Sequence, residues 1–259
     1  TWAGTITEYD ILGRVARQSV PTEVDGSWEP DGDDTAFLWT HQKYDWMGRV
    51  IRKIATDGAD SPTLNDSDVL ISYAGCGCAG GMVTTVEGER VPIPGTENFA
   101  RRKQKVYQDI LGRTWKTEAY EWDGTTVYAT AVNTFNGKDQ VTRTREFAGS
   151  ASSETFQDTT ATFDGHGRLK TSHRPEQRSG ETLKYTTYNY NPDDSILNIT
   201  DGRGVVTNYI YNSRGLVEEM TWEVGETGVT DAHDVEFGYD ALGNRTSMTD
   251  GLGTVAYEY

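Results

Sequence analysis

Apolar and polar residues alternate along much of this chain with a period of two. Val235, Phe237 and Tyr239 alternate with Asp234, Glu236 and Gly238. Val205, Thr207, Tyr209 and Tyr211 follow the same rule, as do Val255, Tyr257 and Tyr259. Such alternation of β-branched and aromatic residues with polar ones marks strands with one covered face. No apolar run of helical period reaches a dozen residues, so the pattern predicts an all-β fold.

The alternating runs end in a common punctuation: an aromatic, Asp or Asn, two free positions, Gly, then a polar residue, usually Arg. The clearest copies are Tyr9-Asp10-Ile11-Leu12-Gly13-Arg14, Tyr44-Asp45-Trp46-Met47-Gly48-Arg49, Phe163-Asp164-Gly165-His166-Gly167-Arg168 and Tyr239-Asp240-Ala241-Leu242-Gly243-Asn244-Arg245. Asp at the first position of a type I turn accepts a hydrogen bond from the backbone two residues on, and Gly at the fourth tolerates positive φ. A type I turn followed by a left-handed residue closes a hairpin and adds a bulge. The aromatic is then the last residue of its strand, packed against its counterpart in the next hairpin as one rung of an aromatic ladder.

Other copies are looser. Gln108-Asp109-Ile110-Leu111-Gly112-Arg113 has its aromatic, Tyr107, one place early. Tyr211-Asn212 keeps Gly215, whereas Phe135-Asn136 and Tyr190-Asn191 have Asp139 and Asp194 where Gly is expected. Asp is among the few residues besides Gly that visit the left-handed region, so both turns are expected to close. Tyr73-Ala74-Gly75-Cys76-Gly77-Cys78 is a degenerate copy without the Asp. From Asn136 onward the turns lie 21 to 28 residues apart. Asp201-Gly202-Arg203-Gly204 and Asp250-Gly251-Leu252-Gly253 read as a second, shorter kind of turn. Residues 1–259 read as a single array, with irregular insertions near 21–36, 56–68 and 79–104. Both ends read as interrupted repeats of a longer pattern.

About nine copies of this motif, followed in the last by Asp250-Gly251-Leu252-Gly253 and Tyr257-Glu258-Tyr259, resemble the YD repeat of the RHS family. The resemblance covers essentially the whole chain. It implies stacked antiparallel β-hairpins forming a spiralling sheet: a section of a β-shell or an open β-solenoid. Shells of this kind occur in bacterial RHS proteins, in the B and C components of insecticidal toxin complexes and in teneurins. The resemblance further implies a secreted or cell-surface location. As partners it implies more YD repeats of the same parent chain, copies of the chain itself, an enclosed toxin domain or a glycan. RHS shells that release cargo carry an Asp-Pro-rich segment with self-cleaving aspartate chemistry. This chain has no Asp-Pro dipeptide, so that activity is not carried over.

Charge narrows the partners. Forty acidic and 24 basic side chains give a net charge of −16, which disfavours nucleic acid and acidic polysaccharide. No run of 18 apolar residues exists to span a membrane as a helix. The repeated Arg14, Arg49, Arg113 and Arg168 read as partners for the turn carboxylates rather than as an anion ladder. Cys76 and Cys78 are the only cysteines; a strained local disulfide, two free thiols and half of a metal site all remain open. His41, His166, His173 and His233 show no ligand spacing. The acidic stretches at Asp31 to Asp34 and at Asn65-Asp66-Ser67-Asp68 read as solvated turns, since neither fits a helix-loop-helix calcium loop. No nucleophile elbow, zinc-protease or phosphate-loop motif is present, and no cofactor is expected. The expected function is therefore a non-enzymatic structural repeat, in a shell wall, filament or scaffold. The rival readings are a carbohydrate- or receptor-binding module using Trp2, Trp28, Trp39, Trp46, Trp115, Trp122 and Trp222, and a glycosidase-like enzyme.

Overall fold

The computed structural model describes residues 2–24, 38–54, 66–75, 81–180, 182–225 and 233–259. The described residues form 23 strands and no helix. The chain divides into two compact units: Thr1–Val132 with Glu146–Phe156, and Asn133–Arg145 with Gln157–Tyr259.

In the first unit, strand Thr7–Tyr9 pairs with Val15–Ser19, which pairs with Trp39–Tyr44, and so on through Val50–Ile54, Val69–Gly75, Met82–Pro92, Phe99–Gln108 and Thr114–Tyr120. Every pairing in this series is antiparallel and joins one of these strands to the next, so this is a meander. A short separate pair joins Trp2–Gly4 to Thr22–Val24. The second unit repeats the plan from Leu169–His173 through Thr186–Tyr190, Ile196–Thr200, Val206–Tyr211, Val217–Glu223, Val235–Tyr239 and Arg245–Asp250 to Gly253–Ala256. Among the described residues, Thr7–Tyr9 and Gly253–Ala256 each pair along one side only. The meanders are thus open at these edges.

The turn chemistry acts as expected. The Asp10 amide donates to the Arg14 carbonyl at 2.7 Å, and the Gly13 amide to the Asp10 carbonyl at 2.9 Å. Asp10 Oδ1 accepts from the amides of Leu12 and Arg14 at 2.8 and 3.0 Å. The same bonds recur at Asp45, Asp109 and Asp240, and with an amide oxygen at Asn136 and Asn212. Gly13 has φ +74°, and Asp139 and Asp194 take the same role at 62° and 70°. The bulge falls beside the motif aromatic, between Glu8 and Tyr9 and again between Lys43 and Tyr44.

Three expectations change. The turn at Asp201 is not of a second kind. Its amide donates to Val205 and its Oδ1 accepts from Arg203 and Val205, which is the motif's own geometry. The stretch near 79–104, expected to be irregular, instead contains strand Met82–Pro92 and most of Phe99–Gln108, which pair over much of their length. Their Gly, Pro and Glu content hid a long hairpin from a reading based on alternation alone. The aromatic ladder is also absent from the repeat tyrosines that the structure describes. An arginine, not a second aromatic, covers the ring of Tyr44, Tyr73 and Tyr190.

Burial is shallow. Among the described residues the buried large apolar side chains are Trp39, Ile54 and Val205. Each meander thus covers little of its own apolar surface, so side-chain hydrogen bonds and ion pairs carry an unusual share of the specificity.

Candidate functional site

The recurring site is a clasp of three side chains from two successive hairpins. The Asp of a turn accepts two bonds from the Arg four residues on: Arg14 Nε and Nη2 reach Asp10 Oδ2 at 2.7 and 2.6 Å. Arg49 with Asp45, Arg113 with Asp109 and Arg168 with Asp164 repeat this within 0.1 Å. The fixed guanidinium then lies over the motif tyrosine of the next hairpin. Arg14 is 4.4 Å from the Tyr44 ring centroid, Arg49 4.3 Å from Tyr73 and Arg168 4.4 Å from Tyr190. These are cation–π distances. The arginines are thus partners of the turn carboxylates, and they carry a second contact that the sequence did not disclose.

The tyrosine closes the clasp with its hydroxyl. Tyr44 Oη donates to the Val15 carbonyl at 2.7 Å, Tyr73 to Val50 at 2.9 Å and Tyr190 to Leu169 at 2.8 Å. Tyr211 donates to Ile196 and Tyr239 to Val217 in the same way. Every acceptor is the first residue after the turn that follows the preceding motif aromatic. Tyr9 stands on the edge strand and is exposed. Phe163 has no hydroxyl to offer. Tyr73 belongs to the degenerate copy, yet its bond and its Arg49 contact are those of a regular repeat.

The clasp has a neutral variant. Asp at the first position goes with Arg four residues later at 10, 45, 109 and 164, whereas Asn goes with Gln140, Ser195 and Leu216. Asn supplies the same backbone acceptor but no charge for an arginine to neutralise. Asp201 with Val205 and Asp240 with Asn244 are the exceptions; Asn244 Nδ2 donates to Asp240 Oδ2 at 2.9 Å. Hydrogen bonds from Arg14, Arg113 and Asn244 hold the Asp10, Asp109 and Asp240 carboxyls below the usual carboxylate range. A bond from the Thr126 hydroxyl brings Asp123 to about 2.

One hairpin departs from the pattern. Gln108 occupies the aromatic position, and Tyr107 turns its hydroxyl to Glu118 Oε2 at 2.6 Å. Tyr120 donates to the same oxygen at 2.8 Å, and Lys116 Nζ to Oε1 at 2.9 Å. Lys116 also sits 3.8 Å from the Tyr107 centroid. Burial alone would raise the Glu118 carboxyl, but the bonds from Tyr107, Lys116 and Tyr120 outweigh it and keep it low. Burial and then the Glu118 bond push Tyr107 up strongly and Tyr120 to about 12. These phenols hold their protons through neutral pH, which suits a fixed structural network.

The tryptophans separate in role. Trp39 is buried under Arg17, whose guanidinium lies 4.1 Å from its ring and also binds Glu8. Trp115 packs against Tyr107 with centroids 5.9 Å apart. Trp46 projects from a turn into solvent. Trp222 lies in strand Val217–Glu223, opposite Thr207. Trp28 lies outside the described residues. Trp122, with Tyr120 and Tyr128, lines a groove of about 620 Å³ that also takes in Arg102 and Lys103. Arg102 lies 5.0 Å over Trp122, and Lys103 lies 4.7 Å over Tyr120. Cations thus lie over the Trp122 and Tyr120 rings, while Tyr128 stays exposed.

Cys76 and Cys78 lie outside the described residues, as do Asp31 to Asp34 and Asn65. Asp68, expected as part of a solvated turn, is fully buried and paired with Arg52 at 2.5 Å. A local polar cluster gave no sign that Arg52, 16 residues earlier, would cover it. Among the described residues no three His, Cys, Asp or Glu side chains come together as a metal site.

The chain is thus an all-β protein of antiparallel hairpins joined by a repeated turn clasp. No family model and no curated protein matches it. Among solved structures it is similar to the crystal structure of TcdB2-TccC3-Cdc42, at 13% identity and TM-score 0.46 over 95% of this chain and 15% of that one. It is also similar to a Photorhabdus luminescens Tc holotoxin pore carrying a TccC3 mutation, at 14% identity and TM-score 0.44 over 95% of this chain and 15% of that one. A crystal structure of TcdB2-TccC3 matches at 12% identity, TM-score 0.35, over 95% of this chain and 16% of that one. The chain spans about 15% of the first two of these.

Proposed function

We propose that this chain is a non-enzymatic structural repeat of the RHS/YD kind, one array over residues 1–259, serving as wall or filament in a secreted or cell-surface assembly. The observation that carries the reading is the clasp. Its repeated geometry spends the polar side chains of the repeat on holding hairpins together. Open edges supply the growth points, because an unpaired strand is a template for another. The neighbouring material is then further repeats of the parent chain or copies of this one. A toxin domain enclosed by such a wall is the cargo we expect.

The edge strand Gly253–Ala256 provides the test. The Tyr257 amide donates to Thr246, so by the alternation of an antiparallel ladder the Ala256 amide faces outward. Proline at 256 removes that donor without touching the Arg245–Asp250 side. The wild-type chain should form open-ended oligomers in sedimentation velocity, and Ala256→Pro should cap them. Oligomers of unchanged length in the variant, or a strictly monomeric wild type, would sink the reading.

A further inference from the structure

Three turns of the second unit begin with Asn, at 136, 191 and 212, and the residues that follow are Gly137, Pro192 and Ser213. Asn136-Gly137 is the only Asn-Gly pair in the chain. The residue after an asparagine matters chemically, because its amide nitrogen can close a five-membered ring on the side-chain carbon Cγ. Pro192 has no N–H to lose. Ser213 carries a Cβ, which restricts the backbone rotation that closure needs; Gly137 does not.

The turn at Asn136 leaves that nitrogen free and prepares the carbon it attacks. The Asn136 amide donates to the Gln140 carbonyl at 3.0 Å, and the Asp139 amide to the Asn136 carbonyl at 3.2 Å. The Gly137 amide donates to nothing among the described residues, and Gly137 is exposed to water. Asn136 Oδ1 accepts from the amides of Lys138 and Gln140 at 2.9 and 3.1 Å. Two backbone donors on one carbonyl oxygen polarise its carbon and stabilise the charge that the oxygen gains under attack. Asn212 Oδ1 accepts from the amides of Arg214 and Leu216 in the same way, so Asn212-Ser213 is an internal control that has the bonds but not the glycine. Asp164-Gly165 and Asp201-Gly202 have the glycine, but their carboxylates are ionised against Arg168 and Arg203 and are poor electrophiles.

We propose that Asn136 is a self-modification site, a one-way switch from the neutral form of the clasp to a charged one. Hydroxide takes the Gly137 amide proton, and the nitrogen bonds to Asn136 Cγ. The Cγ–Nδ2 bond breaks, and Nδ2 leaves as ammonia with a proton from water. Water then opens the cyclic imide. Opening at Cγ gives aspartate. Opening at the backbone carbonyl carbon gives isoaspartate, with the chain rerouted through the side chain. The balance is one water consumed and one ammonia released, with no change of oxidation state.

The product unfastens this turn from the next. In the starting form Asn136 Nδ2 donates to Gln140 Oε1 at 3.0 Å, and Gln140 Nε2 donates to the Gly167 carbonyl at 2.6 Å. A carboxylate at 136 has no hydrogen to offer Gln140 Oε1. Gln140 must turn over to answer the charge with Nε2. Its Oε1 then faces the Gly167 carbonyl, two acceptors without a proton between them. The turns at Asp10, Asp45, Asp109 and Asp164 avoid this because Arg stands where Gln140 does. Nothing in this chemistry depends on whether the chain forms a wall.

The experiment is peptide mapping by mass spectrometry on the full chain, held at mildly alkaline pH in heavy-oxygen water. Asn136 should convert to a mixture of heavy-labelled aspartate and isoaspartate, faster as pH rises. Asn212 should lag by about tenfold or more, a barrier difference of about 1.4 kcal/mol. Gly137→Ala should slow conversion at Asn136 by a similar factor. A Cβ there meets nothing within 4 Å, and Gly137 does not take positive φ, so the variant keeps the turn; thermal melts check this. Equal rates at Asn136 and Asn212 overturn the site. Conversion in urea but not in the folded chain overturns it too, since the turn would then protect Asn136. Aspartate without isoaspartate would mean direct hydrolysis and overturns the ring closure. Asn136→Asp makes one product directly. Amide exchange in turn 164–168 should quicken in this variant by about three- to tenfold, the scale of one lost hydrogen bond; unchanged exchange overturns the unfastening.

Discussion

The two units use one turn and finish it in opposite ways. In the first, Asp begins the turns at 10, 45 and 109, Arg closes them and the tips are apolar. In the second, Asn begins three of the five turns that follow a motif aromatic, neutral residues close four of those five, and polar tips bind the next turn. The backbone bonds are the same in both. Closing the hairpin therefore does not require the charge; the charge serves the contact to the next tyrosine. The lesson is that the motif separates into a folding element, which is constant, and a lateral fastener, which is exchanged between ionic and neutral forms.

The comparison can be broken first at its most concentrated polar cluster. Glu118→Ala in the first unit leaves two phenols and an ammonium without their shared acceptor. Unsatisfied buried groups cost about 1–3 kcal/mol each, so a loss on the order of 2–4 kcal/mol is expected from partial exposure. Urea unfolding followed by tryptophan fluorescence is the suitable measure, because six of the seven tryptophans belong to the first unit. A loss under about 0.5 kcal/mol, the scale of an ordinary surface substitution, would show that the cluster is ornamental.

A smaller effect should follow from Tyr190→Phe. It deletes one hydroxyl-to-carbonyl bond and keeps the ring under Arg168, so roughly 1 kcal/mol is expected. Amide exchange should quicken in strands Leu169–His173 and Thr186–Tyr190 and stay unchanged at Val235–Tyr239. Uniform quickening would mean the clasp is not local.

The smallest effect per group is the response to acid. The paired carboxyls are held below their unfolded values, so their contribution is complete above about pH 4, the unfolded aspartate value. It is lost as pH falls through the folded values, with Asp123 near 2 marking the lower end. Stability should therefore decline between about pH 4 and pH 2. Asp→Asn at 10, 45 and 109 together should flatten that decline, while Asp164→Asn alone should scarcely alter it. A decline of equal depth in the triple variant would count against the ionic fasteners.

The turns were the most legible part of the sequence, because Asp, Gly and the bulge act within six residues. Even Asp139 and Asp194, which break the rule, were readable from the backbone preferences of Asp. What lay beyond one hairpin was not. Nothing local in Tyr44 announces that its hydroxyl meets Val15, or that Arg14 will cover its ring, since both depend on how successive hairpins align. Glu118 and Asp68 looked like two carboxylates among 40; only strand register brought Tyr107 to one and Arg52 to the other. A single signal was available in hindsight. Asp goes with Arg, and Asn with a neutral residue, at the fifth position, and that pairing points to an interaction between the two.

The tyrosine bond has a direction. Each hydroxyl belongs to the later hairpin and each acceptor to the earlier one, so every one of these tyrosine bonds points back toward the amino terminus. A chain leaving the ribosome presents acceptors first and then, hairpin by hairpin, the donors that reach them. For this bond, each new hairpin meets a docking surface already in place. The repeat is in this sense built to be zipped in the order of synthesis, with its exposed growing end always the youngest.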